Sequence, residues 1–411
     1  VTKFDCIVVG GGPAGMMAAG RAAERGARVL LLEKNPVLGK KLSITGGGRC
    51  NITNATFEVR RLVAKYGKEG GALFSAFARF GVEDALRFFH AHGLSTKVEA
   101  EQRVFPVSQD ARDVVRVMSD YVKSGKVKVI TNAAVTAISI KDDVATVKVG
   151  VTEYSAPAVV VATGGKSRPE TGSTGEGFAY LKKLGHAVVT PEAALVPIKV
   201  KEKWPTRLQG VSFTSARLSY FQNNVRQDAR VGKLLFTHFG LSGPLALNMS
   251  RGVGESLQYG EVVISIDLFP ALDHAALGKM ILGMFEKNLN KKLRNVLGLV
   301  LPPKLAPVAL DECKVDGEKF VNAVSRDERT RIVKFIKDMR MTAAGLLGLE
   351  KAVVTSGGVA LNEVDFKTMR SKLHPNLYLV GDVLNFNRPS GGYSLQICWT
   401  TGYVAGDSIE F

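Results

Sequence analysis

A short buried strand running straight into GGGPAG and a helix, a return of that strand texture late in the chain as NLYLVGD, and alternating apolar segments between them together predict an α/β fold. In this reading a Rossmann-type domain is discontinuous, built from both ends of the chain, and is interrupted by a small β-barrel and then by a helical subdomain. The expected boundaries are 1–193 and 341–411 for the two parts of that domain, 194–273 for the barrel-like insert and 274–340 for the helical insert.

The elements follow in order. Phe4 to Gly10, FDCIVVG, is apolar and β-branched, and the glycines after it lead into GMMAAGRAAERG, which has helical character. Ala27 to Glu33, ARVLLLE, reads as a second buried strand, so the chain opens as strand, helix, strand. Helices are expected at Val82–His92 and Ala111–Lys123, and strands at Val127–Ile130, Ala134–Ile140, Val144–Val149 and Ala158–Ala162. From about Leu195 the segments LVPIKV, SARLSYF, KLLFTH and EVVISIDLF suggest a small antiparallel barrel or sheet. HAALGKMILGMFEKN, KKLRNVLGLV and ERTRIVKFIKDM then carry apolar residues at helical spacing with Lys and Arg between them. AVVTSGGV and NLYLVGD restore the buried-strand texture, and SLQICWTTGYVAGDSI closes the chain as a helix.

Composition narrows the class. With 411 residues and 45% hydrophobic content the chain can bury a large core, and no apolar run approaches the roughly 18 residues of a membrane span. The N-terminus enters a strand without a basic region or cleavage site, so a cytoplasmic location is expected. Cys6, Cys50, Cys313 and Cys398 are widely scattered, which excludes a CxxC redox pair and Cys/His metal spacing. The formal net charge of +17 points to a polyanionic partner, with a merely basic soluble surface as the alternative. Residues 1–190 carry 27 Lys+Arg and 17 Asp+Glu, 191–340 carry 23 and 15, and 341–411 carry 5 and 6, so the excess spares the C-terminal segment.

Gly10, Gly12 and Gly15 satisfy GxGxxG between a strand and a helix, with Pro13 and Ala14 inside the turn. This arrangement lets amides at the helix N-terminus approach a pyrophosphate. Glu33, eighteen residues after Gly15 at the end of the second strand, is placed to accept hydrogen bonds from adenosine ribose hydroxyls. Two further elements, strand-plus-ATG at Ala162, Thr163 and Gly164 and strand-plus-GD at Gly381 and Asp382, resemble the large flavoprotein group of glutathione reductase and fumarate reductase. The resemblance implies FAD, with the aspartate of the late motif holding a ribityl hydroxyl. STGEGFAYLKKLG resembles the corresponding turn of the fumarate reductase branch.

Four spaced motifs, KKLSITGGGRCNITN, KLLFTHFGLSGPLALNMS, TSGGVALNEVDFKTMRSKL and RPSGGYSLQICWTTGYVAG, narrow the resemblance to the BaiN/YhiN-type flavoprotein family, matching from Phe4 to the C-terminus. That family is associated with aminoacetone oxidation, bile-acid double-bond reduction and dihydrouridine formation in ribosomal RNA. Fold and cofactor are therefore expected to transfer, whereas substrate does not.

Individual roles follow. Gly46, Gly47 and Gly48 are expected to pass flat against FAD, with Arg49 and Asn51 offering donors toward its oxygens. Gly391, Gly392 and Tyr393 open the last helix, whose N-terminal amides would stabilise negative charge at the flavin N1 and C2 carbonyl region. Lys34, Lys41 and Val135 complete the expected cofactor lining. His238, in FTHFGLSGP, is the candidate proton donor or orienting imidazole, with a hydrogen-bonded structural histidine as the alternative. Cys50 is the second catalytic candidate, set against packing beside the cofactor.

No second GxGxxG lies between a strand and a helix, so NADH or NADPH is expected to bind transiently at the flavin. The leading expectation is an NAD(P)H-driven reductase of a C=C bond in a uridine of ribosomal RNA, phosphate contacts using the basic surface. The competing one is a small-molecule flavin oxidase or reductase, and the third a non-catalytic FAD binder. Oligomeric state is left open.

Overall fold

Four-residue runs of β-branched and leucine side chains, CIVV, VLLL and AVVV, are buried on both faces, as strands must be when helices cover both sides of a parallel sheet. They form the middle of a seven-stranded sheet in the computed structural model, which describes residues 3–348, 352 and 354–411. Across the sheet the order is Val364–Asp365, Arg370–Ser371, Leu377–Leu379, Ala158–Val161, Cys6–Val9, Val29–Leu32 and Lys128–Ile130. The last five run parallel, and the first two are added antiparallel. Because Leu377–Leu379, Ala158–Val161 and Cys6–Val9 are adjacent and parallel, the residues that follow them gather along one edge: Gly381–Asp382, Ala162–Gly164 and Gly10. That carboxyl edge is where open α/β sheets bind ligands.

The chain divides into two compact units, one of residues 1–194 and 349–411, the other of residues 195–348. In the first unit the helices Pro13–Glu24 and Tyr393–Ser408 bury Met16, Met17, Ile397 and Trp399, and the Trp399 indole donates to the Ile52 carbonyl at 2.9 Å. Three smaller antiparallel sheets accompany the main one. Val135–Lys141, Val144–Val149 and Thr152–Ala156 form a meander, Thr53–Asn54, Arg103–Pro106 and Thr96–Val98 a second sheet, and Val188–Ala194 pairs with Val354–Val359. Residue 353, inside the expected AVVTSGGV strand, lies outside the described residues.

The second unit is built on a closed six-stranded barrel, in the order Ile198–Val200, Gly240–Ser242, Val225–Thr237, Ser212–Gln222, Val262–Asp267 and Met339–Leu346. The last strand corrects the expected boundary at 341. Met339, Met341 and Ala343 alternate inward, and the strand pairs with both Val262–Asp267 and Ile198–Val200, which closes the barrel. The helical segment is thus inserted inside the barrel, before its final strand, and residues 341–346 do not belong to the nucleotide domain. Gly243–Leu257 is a helix where sequence suggested only strands; its buried face, Leu245, Ala246, Met249 and Val253, packs on the barrel core. Its three internal or terminal glycines hid the helical period. Among the described residues no helix is long and apolar enough to cross a membrane.

Candidate functional site

The GGGPAG turn divides its glycines between folding and binding. A Cβ on Gly15 would sit 1.9 Å from the Gly10 carbonyl oxygen, and one on Gly10, whose φ is +107°, would sit 2.5 Å from that of Ala162. These two are demanded by the chain itself. At Gly12, which caps the helix Pro13–Glu24, an added Cβ meets nothing within 4 Å, so the bare backbone faces open space. Gly47 and Gly48 are equally open, while the Gly46–Gly48 run takes left-handed φ values of +57°, +70° and +86°. Glu33 is buried behind the turn, its Oε2 accepting from the Gly11 N–H at 2.6 Å and its Oε1 from the backbone and side chain of Asn35 at 2.7 Å. The carboxylate expected at the ribose therefore also holds the glycine turn.

At the carboxyl edge of the sheet lies a partly buried charged cluster around Asp382. Its Oδ2 stands 4.0 Å from Lys41 Nζ, and its Oδ1, 3.6 Å from the Arg388 guanidinium, is buried without a hydrogen-bond partner. Lys41 donates to the Ser167 hydroxyl at 2.7 Å; burial pulls its ammonium pKa down, with Asp382 opposing. Arg388 is fully buried and donates to the carbonyls of Leu384 at 2.6 Å and Thr355 at 3.3 Å, yet its Nε has no partner. Thr163 Oγ1 and Asn51 Oδ1 are likewise buried without partners. Unpaired buried polar atoms cost about 1–3 kcal/mol each unless something completes them.

A ligand rich in hydroxyls and phosphate oxygens is the chemistry that would complete this set. Open glycine backbone at Gly12, Gly47 and Gly48, an orphaned carboxylate oxygen and orphaned Thr and Asn oxygens fit FAD. Arg388 joins the site without a local sequence signal, although it is the only charged residue between Asp382 and Asp407 and stands inside the RPSGGY motif.

Other expected residues are placed as follows. Lys34 Nζ pairs with Glu176 at 2.6 Å and with the Thr174 hydroxyl at 2.7 Å, tying the second strand to the STGEG turn. Val135 opens its strand, and its carbonyl accepts from the Tyr180 hydroxyl at 2.6 Å. Arg49, expected as a donor to the cofactor, gives its NH2 to both oxygens of Glu99 at 2.6 Å and stacks 3.9 Å over the Phe105 ring, while its Nε is buried without a partner. Gly392 carries φ +101° and abuts the Thr53 backbone, where a Cβ would come within 2.4 Å, so packing alone requires glycine there. Gly391 O accepts from Asn54 Nδ2 at 3.2 Å, and the Tyr393 carbonyl accepts from the Tyr66 hydroxyl at 2.9 Å. The last helix is fixed further by the buried Gln396, which accepts from Thr53 Oγ1 at 2.6 Å.

The two catalytic candidates fare differently. Cys50 has no exposed surface, and burial pushes its thiol up to about 12 despite a hydrogen bond with Thr45, so it stays protonated at neutral pH. A thiolate is not available from this position. His238 belongs to the second unit, on the turn between strands Val225–Thr237 and Gly240–Ser242, exposed and edge-on to Phe239 at 4.7 Å. Among the described residues no group of three or more His, Cys, Asp or Glu side chains could hold a metal.

Comparison with known proteins gives the family of the chain. The family described as HI0933-like protein, Rossmann domain, matches residues 4–408. The 3-dehydro-bile acid delta(4,6)-reductase of Clostridium scindens is 28% identical over 402 residues, covering 97% of each chain. The ribosomal RNA dihydrouridine synthase of Escherichia coli is 29% identical over 410 residues, covering 99% of this chain and 98% of that one. Among solved structures, a flavocytochrome c3 fumarate reductase in its open conformation superposes with TM-score 0.53 at 16% identity, covering 99% of this chain and 78% of that one, a likeness of fold alone. The chain belongs to the HI0933-like family of FAD-dependent Rossmann flavoproteins, the BaiN-type oxidoreductases that its four motifs resemble.

Proposed function

We propose that this oxidoreductase reduces a carbon–carbon double bond with electrons from NADPH or NADH, and that its substrate is a uridine in ribosomal RNA. The observation that carries the reading toward RNA is charge: residues 195–348 hold 23 Lys+Arg against 14 Asp+Glu, more than half of the net +17. Supporting it, dihydrouridine synthases of Escherichia coli and Haemophilus influenzae match over almost the whole chain.

When bound, FAD supplies the redox chemistry. Around it the amides at the start of Pro13–Glu24 would meet the pyrophosphate, Glu33 the ribose and Asp382 a ribityl hydroxyl. The Gly391–Tyr393 turn would set the N-terminal dipole of the last helix toward negative charge on the flavin ring. His238 is our candidate for delivering the proton that accompanies the reduction.

A second reading, reduction of a small molecule, draws on the Clostridium scindens relative, whose name also describes double-bond reduction. Nucleoside mass spectrometry of ribosomal RNA from a deletion strain and its complemented parent decides between them. Loss and return of one dihydrouridine supports the RNA reading; an identical modification profile in both strains rejects it.

A further inference from the structure

We infer that the helical insert carries an RNA-docking platform centred on Phe320, a reading that rests on RNA being the substrate. The segment KNLNKKLRN, 287–295, contains four basic residues and no acidic one. In the fold it lies antiparallel to a stretch some 25 residues later. Leu293 N donates to Lys319 O at 2.9 Å, Arg294 N to Gly317 O at 3.1 Å, Val321 N to Lys291 O at 3.0 Å and Asn322 N to Leu289 O at 3.2 Å.

This short ladder sets Lys292 directly opposite Phe320. Side chains alternate across a ladder, and here Leu293 and Val321 go into the core of the unit while Phe320 stays 51% exposed. An aromatic ring is thereby held in water opposite Lys292. Glu318 engages both Lys292, at 2.6 Å, and Arg294, and Glu328 takes Lys319 at 2.7 Å. Among the described residues Lys287 and Lys291 have no ion-pair partner.

An exposed ring opposite Lys292, whose segment also carries the unpaired Lys287 and Lys291, offers the two things an unpaired RNA segment demands: a face for a base to stack on and cations for its phosphates. An acidic peptide would use the cations and leave the ring without a role. The RNA reading therefore accounts for both features.

The test uses the full-length holoprotein, a 20-nucleotide single-stranded RNA and ribosomal RNA from a deletion strain, with binding followed across a salt series. Phe320→Ala should weaken binding about tenfold at fixed salt and leave the salt slope unchanged. Combined Lys287→Gln, Lys291→Gln and Lys292→Gln should reduce the slope by about 2, at roughly 0.7 per phosphate contact. FAD content and flavin reduction by NAD(P)H should match the parent in both variants. If the parent protein binds RNA and the variants bind as well as it does, the platform is wrong and the substrate reading survives. No RNA binding by the parent defeats both. Polyglutamate competing as well as RNA of equal charge would assign the surface to an acidic protein and overturn the inference.

Discussion

Each unit of the molecule holds a small ion cluster made from a lysine, an arginine and an aspartate, and the two are finished differently. In the barrel unit Lys337 Nζ donates to Asp267 Oδ2 at 2.7 Å, to Phe269 O at 2.9 Å and to Leu272 O, while Asp267 also accepts from Phe269 N at 2.9 Å and lies 3.6 Å from Arg217. Every demand is met within the protein, and the cluster staples the end of a strand to the helix Arg326–Lys337. In the nucleotide unit Asp382 lies 4.0 Å from Lys41 and 3.6 Å from Arg388, and Asp382 Oδ1 and Arg388 Nε are left without a hydrogen bond. A buried charge that is satisfied holds a fold; one left incomplete at a sheet's carboxyl edge marks a ligand.

The largest effect should come from breaking the closed cluster. Lys337→Met leaves Asp267 buried without its lysine and should cost ~3–5 kcal/mol in urea unfolding, with FAD content per folded molecule unchanged. A loss of FAD in the folded fraction would contradict the division of labour. Next, Asp382→Asn should weaken FAD binding about 10- to 100-fold, the range for a hydrogen bond to a charged group. Titration of the apoprotein with FAD measures it, and unchanged affinity would remove Asp382 from the cofactor site.

Cys50→Ala should lower stability by ~1 kcal/mol and keep turnover within about twofold of the parent, since the residue contributes packing and not a thiolate. A collapse of turnover with normal FAD content would restore the catalytic reading. The smallest effect is an acid one. Glu328 accepts from Lys319 at 2.7 Å and from the Ser325 N–H at 2.8 Å, which holds its carboxyl down at about 2 from an ordinary 4.5. Because folding depresses this pKa, its stabilisation is present above 4.5 and is lost as pH falls through about 2. Glu328→Gln should flatten that limb of the pH–stability curve; an unaltered limb would show that the capping contacts do not form.

The open cluster was legible in the sequence only where it lay on short local patterns. Gly10 to Gly15, Glu33, the ATG turn and Asp382 each follow a buried strand, so strand texture plus glycine was enough to align them. Arg388 was not assigned, because nothing local says that a lone arginine in a loop will be buried beside an aspartate six residues earlier. Arg49 shows the same limit: its neighbours are glycines, but one partner, Glu99, is 50 residues away next to the Thr96–Val98 strand of a small sheet that alternation does not reveal. The barrel's last strand was lost because MRMTAAGL trades β-branched residues for alanine and glycine, and only its two ladder neighbours make it a strand.

The central claim is that a flavin held by the open cluster passes electrons from a nicotinamide to an RNA uridine. Anaerobic NADPH or NADH added to the purified holoprotein should bleach the visible flavin absorbance. Ribosomal RNA from the deletion strain should then restore it, with one dihydrouridine formed per flavin reoxidised. Flavin that stays reduced in the presence of that RNA, or is reoxidised without dihydrouridine appearing, would contradict the account.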